Sequence, residues 1–309
     1  MPAAELMTCM EVWGGNATAD SGVVMAGLDA WVYCKPFGGA AGGGDVYYVS
    51  SCATGRIHRL LVADVSGHGA AVCDLAGELR GLMRRYVNHL DQTRFVRSMN
   101  EQFAALARGG CFATAVVTTF FGPTGRLSLC NAGHPPPLLY RARQKKWTLL
   151  DEQAPPSAEI ANIPLGIEEA TDYRAFDARL HLGDLVLCYS DCLIESRDAD
   201  GQMLGPEGLL RVAQTLEMSE PASFIPALLA AIGARAEGNL SADDVTVLLF
   251  RPNGLGERVA MRDRLLAPLR LLRAIGGGGS VPWPDFTLAN VGGALLPPLS
   301  RLWRPRPQR

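Results

Sequence analysis

The stretch LLVADVSGHGAAV, residues 60–72, decides how this chain is read. An apolar run ends on Asp64, a tight turn follows through Ser66, Gly67, His68 and Gly69, and a helical pattern begins. A carboxylate that closes an apolar strand is costly to bury unless a cap, a base or a metal ion meets it. The same arrangement recurs along the chain. Asp45 follows the glycine-rich FGGAAGGG, Asp191 closes LVLCYSD, and Asp243 and Asp244 open DDVTVLLF. One acid at a strand end is commonly a turn former. Four such places on strands that share sheets gather negative charge, which repels itself unless a cation is shared. Oxygen donors without His or Cys favour a hard ion, Mg2+ or Mn2+, over zinc or copper. Asp64 therefore reads as a metal ligand rather than a cap.

Around these acids the pattern is one of separate strand and helix blocks. A strand is expected near Trp31–Cys34, then two strand-like runs, VYYVSSC and IHRLLVAD, joined by a turn at Thr54-Gly55. Val72, Leu75, Leu79, Leu82, Met83, Tyr86 and Leu90 recur at helical spacing over residues 70–90. Phe95, Met99, Phe103 and Leu106 mark a second helix, with Gly109-Gly110 as its C-cap. CFATAVVTTFF, RLSLCNAG, PPLLYR and KWTLL predict an antiparallel meander. Two more strands follow in YRAFDARLHL and GDLVLCYSD, then helices over 206–217 and 221–236, and a buried strand from Asp243 to Phe250. Strands and helices in separate blocks favour an α+β layered fold over a doubly wound parallel sheet.

With 309 residues, 48% hydrophobic and 19% charged, the chain reads as globular. A net charge of -2 gives no nucleic-acid habit, and no apolar run is long enough for a transmembrane segment. The N-terminus lacks a basic region followed by an apolar one, so no secretory signal is expected. The eight cysteines form no Cys-x-x-Cys pair and sit mostly in apolar runs, as reduced thiols do, which suggests the cytoplasm. The division expected is a lead-in over 1–27, a domain over 28–250, and a basic Gly/Pro/Arg-rich C-terminal tail over 251–309. That tail reads either as a solvated basic segment or as one that docks a partner or a membrane surface.

GGGD at 42–45, ADVSGHGAA at 63–71, FATAVV at 112–117, NAGHPPPLL at 131–139, PLGI at 164–167, YSDCLIESR at 189–197 and DDVTVLLF at 243–250 stand in one order. In that order they resemble the PPM-type (PP2C-like) protein serine/threonine phosphatases, closest to the bacterial branch of sigma-factor regulators and sporulation phosphatases. The resemblance implies two antiparallel β-sheets packed as a sandwich flanked by α-helices, with two Mn2+ or Mg2+ ions between the sheets. Carried over by position, it implies metal contacts from Asp45, Asp64, the Val65 backbone carbonyl, Asp191 and Asp243. It implies direct attack of an activated water on phosphorus, so no Ser or Cys nucleophile is needed. The implied substrate is a phosphorylated signalling protein of the anti-sigma antagonist type.

His68 has two readings, a proton donor to the leaving seryl oxygen or a residue that shapes the Gly-His-Gly turn. His134, in NAGHPPP, reads as structural. Two positions depart from the family pattern. Tyr48 stands where a second acid is common, and Cys192 stands where Gly usually follows the acid matching Asp191. A Gly there could adopt a positive φ, so Cys192 is expected to sit near the cleft, either as an oxidisable thiolate or as an inert buried thiol. With every inner acid present, the reading is an active phosphoprotein phosphatase. The competing one is a catalytically weak phosphoprotein-binding module.

Overall fold

The computed structural model describes residues 5–6, 12–51, 56–67, 70–87, 89, 91–107, 110–150, 161–218 and 220–255. Successive side chains of a strand point to opposite faces, and here both faces are apolar. On β5 (Asp45–Ser51), Tyr47 and Val49 join one core while Val46 and Tyr48 join another. On β6 (Ile57–Val65), Leu60 and Val62 share the first, and Leu61, Ala63 and Val65 the second. A sheet apolar on both sides must be covered on both sides, and that requirement dictates the layers.

The first face is covered by a second sheet. β7 (Ala113–Phe121), β8 (Arg126–Ala132), β11 (Phe176–Arg179) and β2 (Val12–Gly15) complete a six-stranded sheet in the order β11-β8-β7-β6-β5-β2. The other sheet holds β1 (Glu5–Leu6), β3 (Ala19–Met25), β4 (Leu28–Lys35), β9 (Leu138–Arg141), β10 (Lys146–Leu149), β12 (Leu185–Tyr189) and β13 (Val245–Pro252). Its order is β1-β3-β4-β13-β12-β9-β10. Every pairing is antiparallel except the two-residue β1, which runs parallel to β3. Met25, Leu28, Phe120, Leu129, Leu248 and Phe250 fill the space between the sheets.

The second face of the six-stranded sheet is covered by α1 (Ala70–Tyr86) and α2 (Gln92–Leu106). They bury Leu79, Met83, Phe95, Met99 and Phe103 against it. Asp91 caps α2, its carboxylate accepting from the Arg94 N–H at 2.8 Å, and that satisfies a donor the first turn would otherwise leave open. On the outer face of the seven-stranded sheet, α4 (Gly205–Gln214) and α5 (Pro221–Gly233) pack Leu209, Val212, Phe224 and Leu228 onto Trp31, Trp147, Leu187 and Tyr189. The result is the expected α-β-β-α sandwich.

Several expectations change in detail. The meander divides: β7 and β8 form one hairpin, but after Ala132 the chain crosses, and β9 and β10 join the other sheet beside β12. Gly133 makes the crossing at φ +69°, where a Cβ would stand 2.6 Å from Pro164 Cγ. Residues 12–25, expected as a lead-in, form β2 and β3 and pair with β5 and β4. Leu106 is exposed, and α2 ends on Ala107, whose N–H reaches the Phe103 carbonyl, rather than on the glycine pair. Thr54-Gly55, Leu90, Gly109 and the tail from 256 lie outside the described residues, as do Cys9 and Cys52. The other six cysteines are free thiols. Among the described residues no helix is long and apolar enough to cross a membrane.

Candidate active site

Asp45 and Asp64 are direct partners across the β5–β6 pair. Asp64 shares the face of Leu60 and Val62, and Asp45 that of Tyr47 and Val49, so both carboxylates face the other sheet. Like charges directly opposite one another on a sheet are destabilising. Asp45 is 2% exposed and is met from the other sheet by the Ser190 and Thr246 hydroxyls, while its Oδ2 has no hydrogen-bond partner among the described residues. Burial, then the Asp64 charge, pushes its carboxyl well above the usual range.

The second sheet supplies the other acids. Asp191 follows β12 in a helical conformation (φ -62°, ψ -27°) and opens the single turn α3 (Cys192–Glu195). Asp243 and Asp244 precede β13, the strand hydrogen-bonded to β12. Burial raises the Asp64 carboxyl to about 7, and the charges of Asp191, Asp243, Asp244 and Glu195 add to it. Burial, then Glu195 and Asp243, also raises Asp191. Every charged neighbour that shifts these three carboxyls is another acid. The four predicted acids are thus linked electrostatically, Asp45 to Asp64, Asp64 to Asp191 and Asp243, and Asp191 to Asp243, although 198 sequence positions separate Asp45 from Asp243.

Asp244 has a different task. Its Oδ1 accepts from the Phe37 N–H at 2.6 Å, and its Oδ2 from the Gly44 N–H at 2.6 Å and the Asp45 N–H at 3.2 Å. It holds the glycine-rich loop against the seven-stranded sheet. The loop needs glycine for closeness: a Cβ at Gly43 would stand 2.1 Å from Asp244 Oδ2, and one at Gly44 would stand 2.8 Å from the Val65 carbonyl. Asn16 fixes the other side of the loop, its Nδ2 donating to the Gly43 carbonyl at 3.0 Å and to the Cys73 carbonyl at 3.3 Å. Asp244, Asn16, Ser190, Thr246 and Glu195 have no assigned role in the sequence reading. Only Asp244 and Glu195 carried a signal, as a doubled strand-end acid and as the acid one helical turn after Asp191.

His134 is structural. It joins the sheets, with Nδ1 2.8 Å from the Thr114 hydroxyl on β7 and Nε2 2.9 Å from the Tyr189 carbonyl on β12. Burial lowers its pKa to about 4, so the ring is neutral at pH 7. His68 lies outside the described residues. Tyr48 faces the core under α1 and α2, opposite to Asp45. A carboxylate there would be buried among Leu79 and Met83 rather than directed into the acid cluster. Cys192 is 5% exposed, packs beneath α4 and α5, and begins a right-handed turn that any residue can adopt. Burial and three neighbouring acids push its thiol up to about 12. Of the two readings of Cys192, its burial and raised pKa favour the inert thiol.

The donor set fits a hard divalent cation: oxygen ligands only, excess negative charge, and a buried carboxylate oxygen with no partner. Among the described residues, however, no group of three or more His, Cys, Asp or Glu side chains is arranged to hold one ion by itself. Ions here would complete their shells with backbone oxygen, water or substrate, as Mg2+ commonly does.

Fold and acid cluster together define a PP2C-like sandwich with a candidate divalent-metal cleft. Residues 55–253 match the family described as Stage II sporulation protein E (SpoIIE), and the chain belongs to that family. The phosphoserine phosphatase RsbU of Bacillus subtilis is 25% identical over 156 residues, which is 48% of this chain and 42% of that protein. The chain therefore spans less than half the length of this relative. Among solved structures, the RsbU and RsbW domains of Rv1364c from Mycobacterium tuberculosis align with a TM-score of 0.60 at 23% identity, covering 85% of this chain and 72% of that one. The phosphatase domain of SpoIIE from Bacillus subtilis, with a fragment of its regulatory domain, gives 0.58 at 18%, covering 79% and 64%. RsbX in complex with magnesium gives 0.55 at 15%, covering 76% and 100%. At these identities the likeness is one of fold.

Proposed function

We propose that the chain is a metal-dependent protein serine/threonine phosphatase that hydrolyses phosphoserine or phosphothreonine on a signalling protein. The observation that carries this reading is the cluster of facing acids which, among the described residues, has no compensating protein cation and leaves Asp45 Oδ2 unpartnered. Asp45, Asp64, Asp191, Asp243 and the Val65 carbonyl would hold two Mn2+ or Mg2+ ions. Bound ions of this kind neutralise phosphoryl charge and make water nucleophilic near neutral pH. Asp45 and Asp64 supply negative charge from the six-stranded sheet, and Asp191 and Asp243 supply it from the other. Asp244 positions the loop that carries Asp45. His68 takes the proton-donor role or shapes its turn.

Membership of the SpoIIE family and the name of the RsbU relative support a phosphorylated regulator of the anti-sigma antagonist type as the substrate. We place the domain at residues 5–255 and the protein in the cytoplasm. Hydrolysis of p-nitrophenyl phosphate and of a phosphoserine peptide, with and without Mn2+, tests the proposal. Activity should require the metal. Asp64→Asn or Asp191→Asn should lower it about 100-fold or more, because loss of a ligand exceeds the 10–100-fold typical of losing a ligand's support. Full metal-dependent activity in either variant would sink the assignment. A second reading, a catalytically weak phosphoprotein-binding module, draws on the lack of a ready three-ligand group among the described residues. Phosphopeptide binding without metal-dependent turnover would favour it.

A further inference from the structure

Among the described residues seven large hydrophobic side chains are exposed, and two of them are aromatic: Phe37, 54% exposed, and Phe112, 36% exposed. An apolar residue exposed singly on a surface needs no explanation. These two are set apart by what holds them. Phe112 lies two residues before Thr114, the direct partner of Asp64 across β6 and β7. The pairing runs on past the end of β7. The Ser66 N–H donates to the Phe112 carbonyl at 2.9 Å, and the Phe112 N–H donates to the Ser66 hydroxyl at 2.9 Å. Alternation therefore places Phe112 on the face of Thr114 and Asp64, diagonal to Asp64. Diagonal neighbours on one face are within reach of an aromatic side chain. Phe37 is mounted on the other sheet. It follows the end of β4 by two residues, and its N–H is held at 2.6 Å by Asp244, whose other carboxylate oxygen holds the Gly44 and Asp45 N–H groups. The Ala40 N–H closes this turn on the Phe37 carbonyl at 3.1 Å.

Each sheet thus contributes one uncovered phenylalanine whose backbone is tied to the residues that carry the acids. In an extended peptide successive residues advance about 3.3 Å, so the neighbours of a residue held at the acid cluster fall at its rim. We infer that Phe37 and Phe112 read the sequence around the phosphorylated residue, each receiving an apolar side chain that flanks it. The site selects a phosphoserine between bulky aliphatic residues over one between small or charged residues. Bulky aliphatic neighbours gain by leaving water, whereas a charged neighbour loses hydration against a ring face that offers it no acceptor or anion. The inference rests on the reading that the acid cluster receives a phosphorylated residue, and it holds whether that residue is hydrolysed or only bound.

Two phosphoserine peptides of equal length, with leucine or with alanine on both sides of the phosphoserine, test this on the full chain. Steady-state hydrolysis with Mn2+ is one readout. Fluorescence anisotropy of the matching non-hydrolysable phosphonate peptides, with Mg2+, is the other. The wild type should favour the leucine peptide by about tenfold in kcat/KM and in Kd, as partial burial of two leucine side chains supplies. Phe37→Ser and Phe112→Ser should each cut that ratio to about threefold, and the double variant should bring it to about one. Phe112→Leu, which keeps an apolar side chain, should retain most of it. Because the two peptides are compared within one protein, a change in metal loading or in folded fraction affects both alike. Three results would each overturn the inference: equal wild-type treatment of the two peptides, an undiminished ratio in the double variant, or no binding of either phosphonate peptide at about 1 mM. A leucine preference in binding without metal-dependent turnover of either peptide would uphold it and remove the phosphatase reading instead.

Discussion

Asp64→Asn should stabilise the ion-free protein even as it removes activity. In the native state the Asp64 carboxyl titrates near 7, against an ordinary 3.8, chiefly because it is buried and then because four acids face it. The native protein therefore holds a proton that the unfolded chain releases across that window. This contribution leaves stability intact below about pH 4 and erodes it as pH rises to about 7. A shift of this size corresponds to at most about 4 kcal/mol at pH 8, and partial exposure of the side chain reduces the expected effect to about 2 kcal/mol. Asn has no charge to desolvate, so the variant should gain about 2 kcal/mol over the wild type at pH 8, or about 4–8 °C in Tm, and nothing at pH 4. Urea unfolding at both pH values, with a chelator present, measures this directly. Saturating Mn2+ should reverse the order, since ligand at 100 times its Kd adds about 2.7 kcal/mol to whichever protein binds it. An Asn variant less stable than the wild type at pH 8, or an advantage undiminished at pH 4, would refute the reasoning.

Gly43→Ala should cost about 1–3 kcal/mol and most of the metal-dependent activity, because the new methyl would stand 2.1 Å from the Asp244 carboxylate that anchors the loop. Chemical denaturation and a p-nitrophenyl phosphate assay follow both effects. Truncation after Leu255 should leave turnover of that substrate within about twofold, as for changes away from the core. Truncation after Phe250 should destabilise the domain, because Asn253 ties to Asp29 Oδ1 and the Met25 carbonyl, and Arg251 pairs with Asp29. Cys192→Gly should lower Tm through lost packing and a glycine in a helical turn, at about 1 kcal/mol or more. It should not alter peroxide sensitivity, since a buried, protonated thiol is a poor target.

The parts of this fold that could be read from sequence are those where local pattern and burial agree. Asp45 and Asp64 announce themselves because a charge at the end of an apolar strand has few cheap explanations, and β5 and β6 are neighbours in sequence as well as in the sheet. The crossing after Ala132 could not be read, because the four residues of β9, with Leu138 and Leu139 buried on opposite faces, would suit an inner strand of either sheet. Gly133 records the turn but not its destination. Ser190, Thr246 and Asn16 escape for a related reason: each acts by meeting a residue from a distant segment, and an isolated hydroxyl or amide carries no sign of that meeting. The concern over Cys192 arose from a positional habit of relatives. In this chain the position begins an ordinary helical turn, and the Cys192 side chain packs into the core beneath α4 and α5.

The place of β13 in its sheet bears on how the protein is made. This last described strand lies between β4 and β12, so the half-sheet of β3 and β4 meets the half-sheet of β12, β9 and β10 only through it. On the ribosome, the chain can emerge through residue 242 with the facing Asp45 and Asp64 already translated and still lack the strand that closes the sandwich. Until then β5 and β6 alone hold the Asp45–Asp64 pair, and the charges of Asp191 and Asp243 are not yet fixed beside it. Metal loading and completion of the domain should therefore be one event, set by the arrival of β13, and nascent chains stalled before Val245 should bind no Mn2+.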